Sequence, residues 1–195
     1  MTKVISTYLL ALDELSVLTA ISYQSAIEKD VVPRTNRVID DILSLLIKAY
    51  TLGVENASTM LGYNLFVNID AMADAIYFVI DGQTFADRVA NHVNGNSLSG
   101  LQTLVKSEFH RVYNTAVQDG ATRYVNAGGS GVNKTWITVK DDRVRETHSY
   151  LEGQTIDYEK EFFTFDGDHA AFPGGFMKAE NNVKCRCIVK MEVKP

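Results

Sequence analysis

Cysteine is scarce in this chain. Two are present among 195 residues, Cys185 and Cys187, with a single residue between them. That excludes a disulfide framework as the source of stability. Long apolar runs are also missing, and none would reach across a bilayer. The start, Met1-Thr2-Lys3-Val4, lacks a basic segment leading into an apolar core and a small-residue cleavage site, so no secretory signal is expected. The reading places the chain in the cytoplasm unless it leaves inside an assembly. Positive charge is not in excess. The net charge is −5, with 6 Lys/Arg against 11 Asp/Glu in residues 1–99 and 13 of each in residues 100–195. This excludes a bulk polyanion binder and leaves room only for local nucleic-acid contacts. Tryptophan occurs once, and no internal repeat is evident.

What is present suits a folded protein. The chain is 46% apolar and 22% charged, enough for one sizeable core or two small ones. Its first half reads as helical. Ile5, Leu9, Leu12, Leu15 or Ser16, Leu18 and Ile21 stand near helical spacing from Val4 to Glu28, and Asp30-Val31-Val32-Pro33 marks a stop. A second helix from about Asn36 toward Ala57 carries Ile39, Ile42, Leu43, Leu46 and Ile47, apolar enough to be central or covered by a partner. Asp70 is expected to cap a third helix reaching Ile80, and Thr84 a short one from Phe85 to His92. Ser97 or Ser99 opens a long helix toward Gly120 or Asn126, with Glu108 inside its apolar arc and His110 on its polar side. A carboxylate on an apolar face must find a partner or be neutralised; Arg143 and Arg145 are the candidate partners, against a reading in which Glu108 lies at the edge of the face and reaches water.

Ala127-Gly128-Gly129-Ser130-Gly131 then reads as a loop or hinge, and lacks the Lys-Ser/Thr that a phosphate-binding loop requires. From Lys134 to Lys140 residues alternate, with Trp136 and Thr138 on one face, the pattern of a half-buried strand. Asp141 or Asp142 is expected to cap a short helix on which Val144, His148 and Leu151 share a face. Val183 to Glu192 reads as the cleanest strand, with Cys185 and Cys187 on one side and Lys184, Arg186 and Lys190 on the other.

Several groups invite chemistry. Cys185 and Cys187 with His148 form a candidate zinc set, although structural sites commonly place two to four residues between cysteines. The competing reading makes them small buried hydrophobes, and no metal or other cofactor is assigned. Arg145 and His148 could act as phosphate binder and base, against a reading in which both are structural. Asp166, Asp168 and His169 read as a solvated turn rather than a cation site.

Trp136, Asp141-x-Arg143-x-Arg145-x-x-His148, Leu151-x-Gly153-Gln154, Glu161-Phe162, Phe172-Pro173-Gly174 and the final Lys184-Cys185-Arg186-Cys187 together resemble the C-terminal module of the phage Mu F-like head-morphogenesis proteins, minor capsid proteins of tailed bacteriophages. The resemblance covers about Gly82 to Cys187, with Lys184 standing where the family more often has Asn. It implies a protein inside the phage head that associates with the portal during assembly and, in some relatives, with packaged DNA or its delivery.

The expected architecture is α+β: a helical docking region over residues 1–96, a long connecting helix over 97–126, and a small mixed module with a few antiparallel strands over 127–195. Glu108, Arg143, Arg145 and His148 are expected to form one structural polar network, with Trp136, Asp141, Cys185, Arg186 and Cys187 as the family motif and no catalytic residue. The expected role is head morphogenesis in the virion interior, after assembly in the host cytoplasm, by docking of the apolar faces of residues 4–57 on portal or major capsid protein. No membrane partner is expected, and a homo-oligomer is compatible with this reading. Two rivals stay open. One is a toxin-like ribonuclease or ADP-ribosyltransferase using Arg145, His148 and Glu108, which requires a pocket exposing all three. The other is an ejection protein touching DNA through an exposed strip of Lys184, Arg186 and Lys190, with binding that weakens as salt rises.

Overall fold

The computed structural model describes residues 2–28 and 34–195, with side chains over 6–24 and 35–195. The helix stop expected at residues 30–33 and the side chain of Ile5 lie outside the described residues. Among those described, the order is α1 (Thr2–Glu28), α2 (Arg34–Leu61), α3 (Ile69–Ile76), α4 (Phe85–Asn94), α5 (Leu98–Asn126), β1 (Val132–Ile137), α6 (Glu146–Ser149), β2 (Thr155–Asp157), β3 (Phe162–Phe163), β4 (His169–Ala170), α7 (Ala179–Asn182) and β5 (Ile188–Val193). The fold class is α+β. No helix among these residues is long and apolar enough to cross a membrane.

Helix α5 is the axis of the molecule. Seven consecutive residues, Glu108 to Asn114, are buried, so neighbours surround it on every side. Ser97 caps its start, and Gly128 and Gly129 close its end by bonding back to Val125 and Tyr124. Helix α2 packs closest to it. A Cβ on Gly53 would stand 2.5 Å from the Tyr113 carbonyl oxygen and 2.6 Å from Ala116 Cβ, so the absent side chain sets the helix separation. Tyr50 donates to Asp119 at 2.9 Å and Asn56 donates to the Tyr113 hydroxyl at 2.9 Å across the same seam.

Helix α1 buries Tyr8, Leu12, Leu15, Thr19, Ser22 and Tyr23. This corrects the expected stripe, because Leu18 and Ile21 face outward. Polar-tipped residues win the inner face because each has a partner: Tyr8 pairs with His110, Thr19 donates to the Leu15 carbonyl, and Ser22 donates to Asp41. Helix α2 likewise buries Val38, Ile42, Leu45, Leu46 and Tyr50 and leaves Ile47 exposed. Asn68, not Asp70, caps α3, accepting from the backbone of Asp70 and Ala71, and the helix ends at Ile76 rather than Ile80. Thr84 caps α4 in a reciprocal box with Asp87.

The strands form an antiparallel sheet in the order β2-β1-β5 and a small hairpin, β3-β4. In β1 the inward residues are Val132, Lys134 and Trp136, followed by Thr138, as the alternation predicted. The final strand is shorter than expected and starts only at Ile188. Lys184 takes a left-handed φ of 59°, and the Arg145 guanidinium occupies the Asn181 and Val183 carbonyls, so residues 183–187 cannot extend as a strand. Asp141 does not cap α6, whose N-cap is Arg145 without a side-chain bond. It closes its own turn by accepting from the Arg143 backbone at 3.1 Å.

Candidate functional site

The expected single network of Glu108, Arg143, Arg145 and His148 is replaced by separate clusters. Glu108, 3% exposed, accepts from Arg88 Nη1 at 2.6 Å and from Arg111 at 2.8 and 3.2 Å. Burial alone would raise its carboxyl, but Arg111 and Arg88 outweigh this and hold it below its ordinary value. The reason for the correction is reach. Arg88 lies on α4 and Arg111 one turn along α5, while the module's arginines are engaged elsewhere. Arg143 pairs with Asp141 at the surface, and Arg145 forks onto two carbonyls. Arg111 also donates to the Ala75 carbonyl at 2.8 Å, tying α3 to α5.

Asp141 and Arg186 form a bidentate pair at 2.7 and 2.8 Å, which holds the Asp141 carboxyl well below the usual range. This pins the loop after β1 to the stretch before β5. The expected strip of Lys184, Arg186 and Lys190 is corrected by the same contacts. Arg186 is matched by Asp141 and Lys190 by Glu192, which leaves Lys184 outside these pairs. Asp168 is no solvated turn residue. It is 2% exposed and accepts from the backbone of His169, Met177 and Lys178 and from Asn181 Nδ2 at 2.8 Å. Asn181 in turn accepts from Thr147 at 3.1 Å, linking this network to α6.

The remaining cluster lies under the sheet. His148 is 1% exposed, with Trp136 edge-on at 5.4 Å between ring centroids and Phe176 stacked at 5.3 Å. Its Nδ1 is 3.5 Å from Cys185 Sγ and 3.5 Å from Cys187 Sγ. His110, expected to be solvated, is fully buried, with Nδ1 against the Tyr8 hydroxyl. A helix packed on all sides has no polar face to which a histidine could be assigned, and that misled the projection. Burial alone would raise the Cys185 thiol, but Cys187, His110 and His148 reverse this and bring it well below its ordinary value. Cys187 moves well above, through its contact with Cys185 and then burial. The pair therefore favours one thiolate.

Clefts large enough for a ligand occur among the described residues. One, about 560 Å³, borders Arg88, Glu108, Arg111 and Lys184; another, about 630 Å³, borders Tyr50, Phe78, Asp119 and Phe176. His148 and Arg145 border neither; they line a separate cavity of about 10 Å³. Among the described residues, none of these openings exposes Arg145, His148 and Glu108 together.

A family model described as phage Mu protein F like protein matches residues 69–190, from the start of α3 into β5. The chain belongs to this family. As a phage Mu F-like protein it is phage head-related. One relative, the NAD(+)–arginine ADP-ribosyltransferase EFV of Enterococcus faecalis, is 26% identical over 151 residues. That alignment takes in 75% of this chain and 30% of the relative, so the chain spans less than a third of the relative's length. No solved structure matches the chain at a significant level. The residues that carry the resemblance in the sequence, Trp136, Asp141, Cys185, Arg186 and Cys187, fall on the sulfur–imidazole cluster and the ion pair beside it. Sequence reasoning missed Tyr8, Arg88 and Arg111 as partners.

Proposed function

We propose that this chain is a minor structural protein of the phage head that docks on portal or major capsid protein from the capsid interior during morphogenesis. The observation that carries this reading is membership of the phage Mu F-like family over residues 69–190. The surface supports it. Most apolar residues of α1 and α2 are used in the core, yet Leu10, Val17 and Ile21 form an outward row on α1, each at least 59% exposed. Phe66 before α3 and Ile69 at its first position, 74% and 72% exposed, add further outward apolar surface. Exposed apolar patches of this kind suit protein contacts. Cross-linking of purified heads with mass spectrometry is expected to recover portal or major capsid peptides joined to this chain. Their absence from intact heads that contain the chain overturns the proposal.

A second reading is ADP-ribosyl transfer, which the named Enterococcus relative favours. Against it stand the 30% share of that relative which is aligned and a Glu108 carboxylate already held by two guanidiniums. The discriminating assay incubates the purified chain with labelled NAD and arginine-bearing acceptor proteins. Label transfer that disappears in Glu108→Gln would favour the enzyme.

A further inference from the structure

We propose that Cys185, Cys187 and His148 form a structural zinc site in the core of the strand-containing module, with His110 of α5 as the candidate for its fourth position. The ligand atoms of His148, Cys185 and Cys187 all lie within 4.8 Å of one another, and all three residues are buried. The spacing has a particular meaning. With Zn–S near 2.3 Å and Zn–N near 2.0 Å, tetrahedral coordination puts a nitrogen and a sulfur ligand about 3.5 Å apart. Both sulfur distances from His148 Nδ1 are 3.5 Å.

His110, buried on α5 outside the 4.8 Å group of the other three, is the candidate for the fourth position. Its Nδ1 is occupied by the Tyr8 hydroxyl, while its Nε2 is buried with no hydrogen-bond partner. Tyr8 and Asn114 hold the ring through Nδ1 and fix its orientation, so Nε2 is the nitrogen left for a metal. A Cβ on Gly174 would stand 3.0 Å from His110 Cδ2, so the loop carrying Phe176 closes over the ring. Two thiolates and two neutral imidazoles match zinc in ligand type, and the two negative charges balance the dication in a dry interior. The single-residue spacing of the cysteines is workable because residues 183–187 are irregular chain, and Asp141 draws the intervening Arg186 away.

The test is metal analysis of the full chain, purified under reducing conditions and also refolded with zinc. About one zinc per chain is expected, and cobalt(II) in its place should show thiolate-to-cobalt charge-transfer absorption with the intense visible bands of tetrahedral coordination. Less than about a tenth of an equivalent after refolding with zinc, or cobalt bands without thiolate character, overturns the site. So does zinc retained in full by the Cys185→Ser/Cys187→Ser double variant. His110→Gln should release zinc to a chelator faster than the unaltered chain, and equal release removes His110 from the ligand set. The cobalt spectrum of the unaltered protein keeps the test decisive if a variant fails to fold.

Discussion

Replacing Glu108 with glutamine should destabilise this protein more than its conservative shape suggests. In the intact fold one carboxylate serves two guanidiniums whose side chains are only 12% and 10% exposed. Glutamine keeps the volume but removes the negative charge, leaving two cations facing each other in the interior. Breaking a buried pair by deleting one partner costs about 3–5 kcal/mol, because the stranded charge stays buried. Against a typical total stability of about 5–15 kcal/mol this is a large share. Arg88→Met should cost less, about 1–3 kcal/mol, since Arg111 still holds the other carboxylate oxygen. Arg88 also has two buried nitrogens without partners, Nε and Nη2, so its loss removes a burden along with a bond. The double variant should therefore cost less than the sum of the two. Urea unfolding followed by far-ultraviolet circular dichroism measures all three. A Glu108→Gln effect below about 1 kcal/mol would refute the claim that this ion cluster carries stability.

Two further outcomes follow from particular contacts. Lys134 is fully buried, donates to the Ala171 carbonyl at 2.6 Å, and is pushed down to about 8 by burial. The unfolded chain then holds more protons than the folded one between pH 8 and the ordinary lysine value of 10.5, so stability from this group rises with pH across that window. Burial raises Tyr8, Tyr50 and Tyr113, which work in the opposite sense above about pH 10. The urea midpoint should accordingly climb from pH 8 to about 9.5, and Lys134→Met should make the climb shallower; an identical profile in the variant contradicts the burial argument. Gly53→Ala should cost about 1–3 kcal/mol by forcing α2 away from α5. A thermal melt of that variant within error of the parent would mean the helix separation is softer than the 2.5 Å contact implies.

Much of this fold was legible because periodicity survives context. The helices and the inward face of β1 follow from spacing, and the capping of α4 follows from Thr84 with Asp87 three residues on. The errors share a physical cause: they fall where side-chain partners override pattern. On α1 the apolar Leu18 and Ile21 lost the inner face to Tyr8 and Thr19, because those hydroxyls find hydrogen-bond partners. On α5 complete enclosure erased the distinction between faces, so His110 could not be placed by projection. The stretch before β5 alternates like a strand, yet Arg145 claims its carbonyls. The burial of Glu108 was legible as an apolar-arc carboxylate, but its partners were not. Arg88 is 20 residues upstream on another helix, a relation that no local pattern encodes.

The distribution of polar residues bears on function more than any single one does. An enzyme keeps reactive groups poised and accessible, usually at the expense of stability. Here the side chains best suited to chemistry are matched: Glu108 and Asp168 in the interior, with two arginines and with Asn181 and three backbone amides, and Asp141 nearer the surface with Arg186. Each match joins segments that are distant in sequence, α4 to α5, the loop after β1 to the approach of β5, and the β3-β4 hairpin to α7. Satisfied networks of this kind fix one arrangement of elements and rigidify it. The outward residues are of another kind, apolar on α1 and before α3, with little unmatched positive charge on the segment preceding β5. A rigid interior of matched charges beneath an apolar exterior is what a small part needs in order to seat in a larger shell in one orientation, and this favours docking over turnover as the use of the fold.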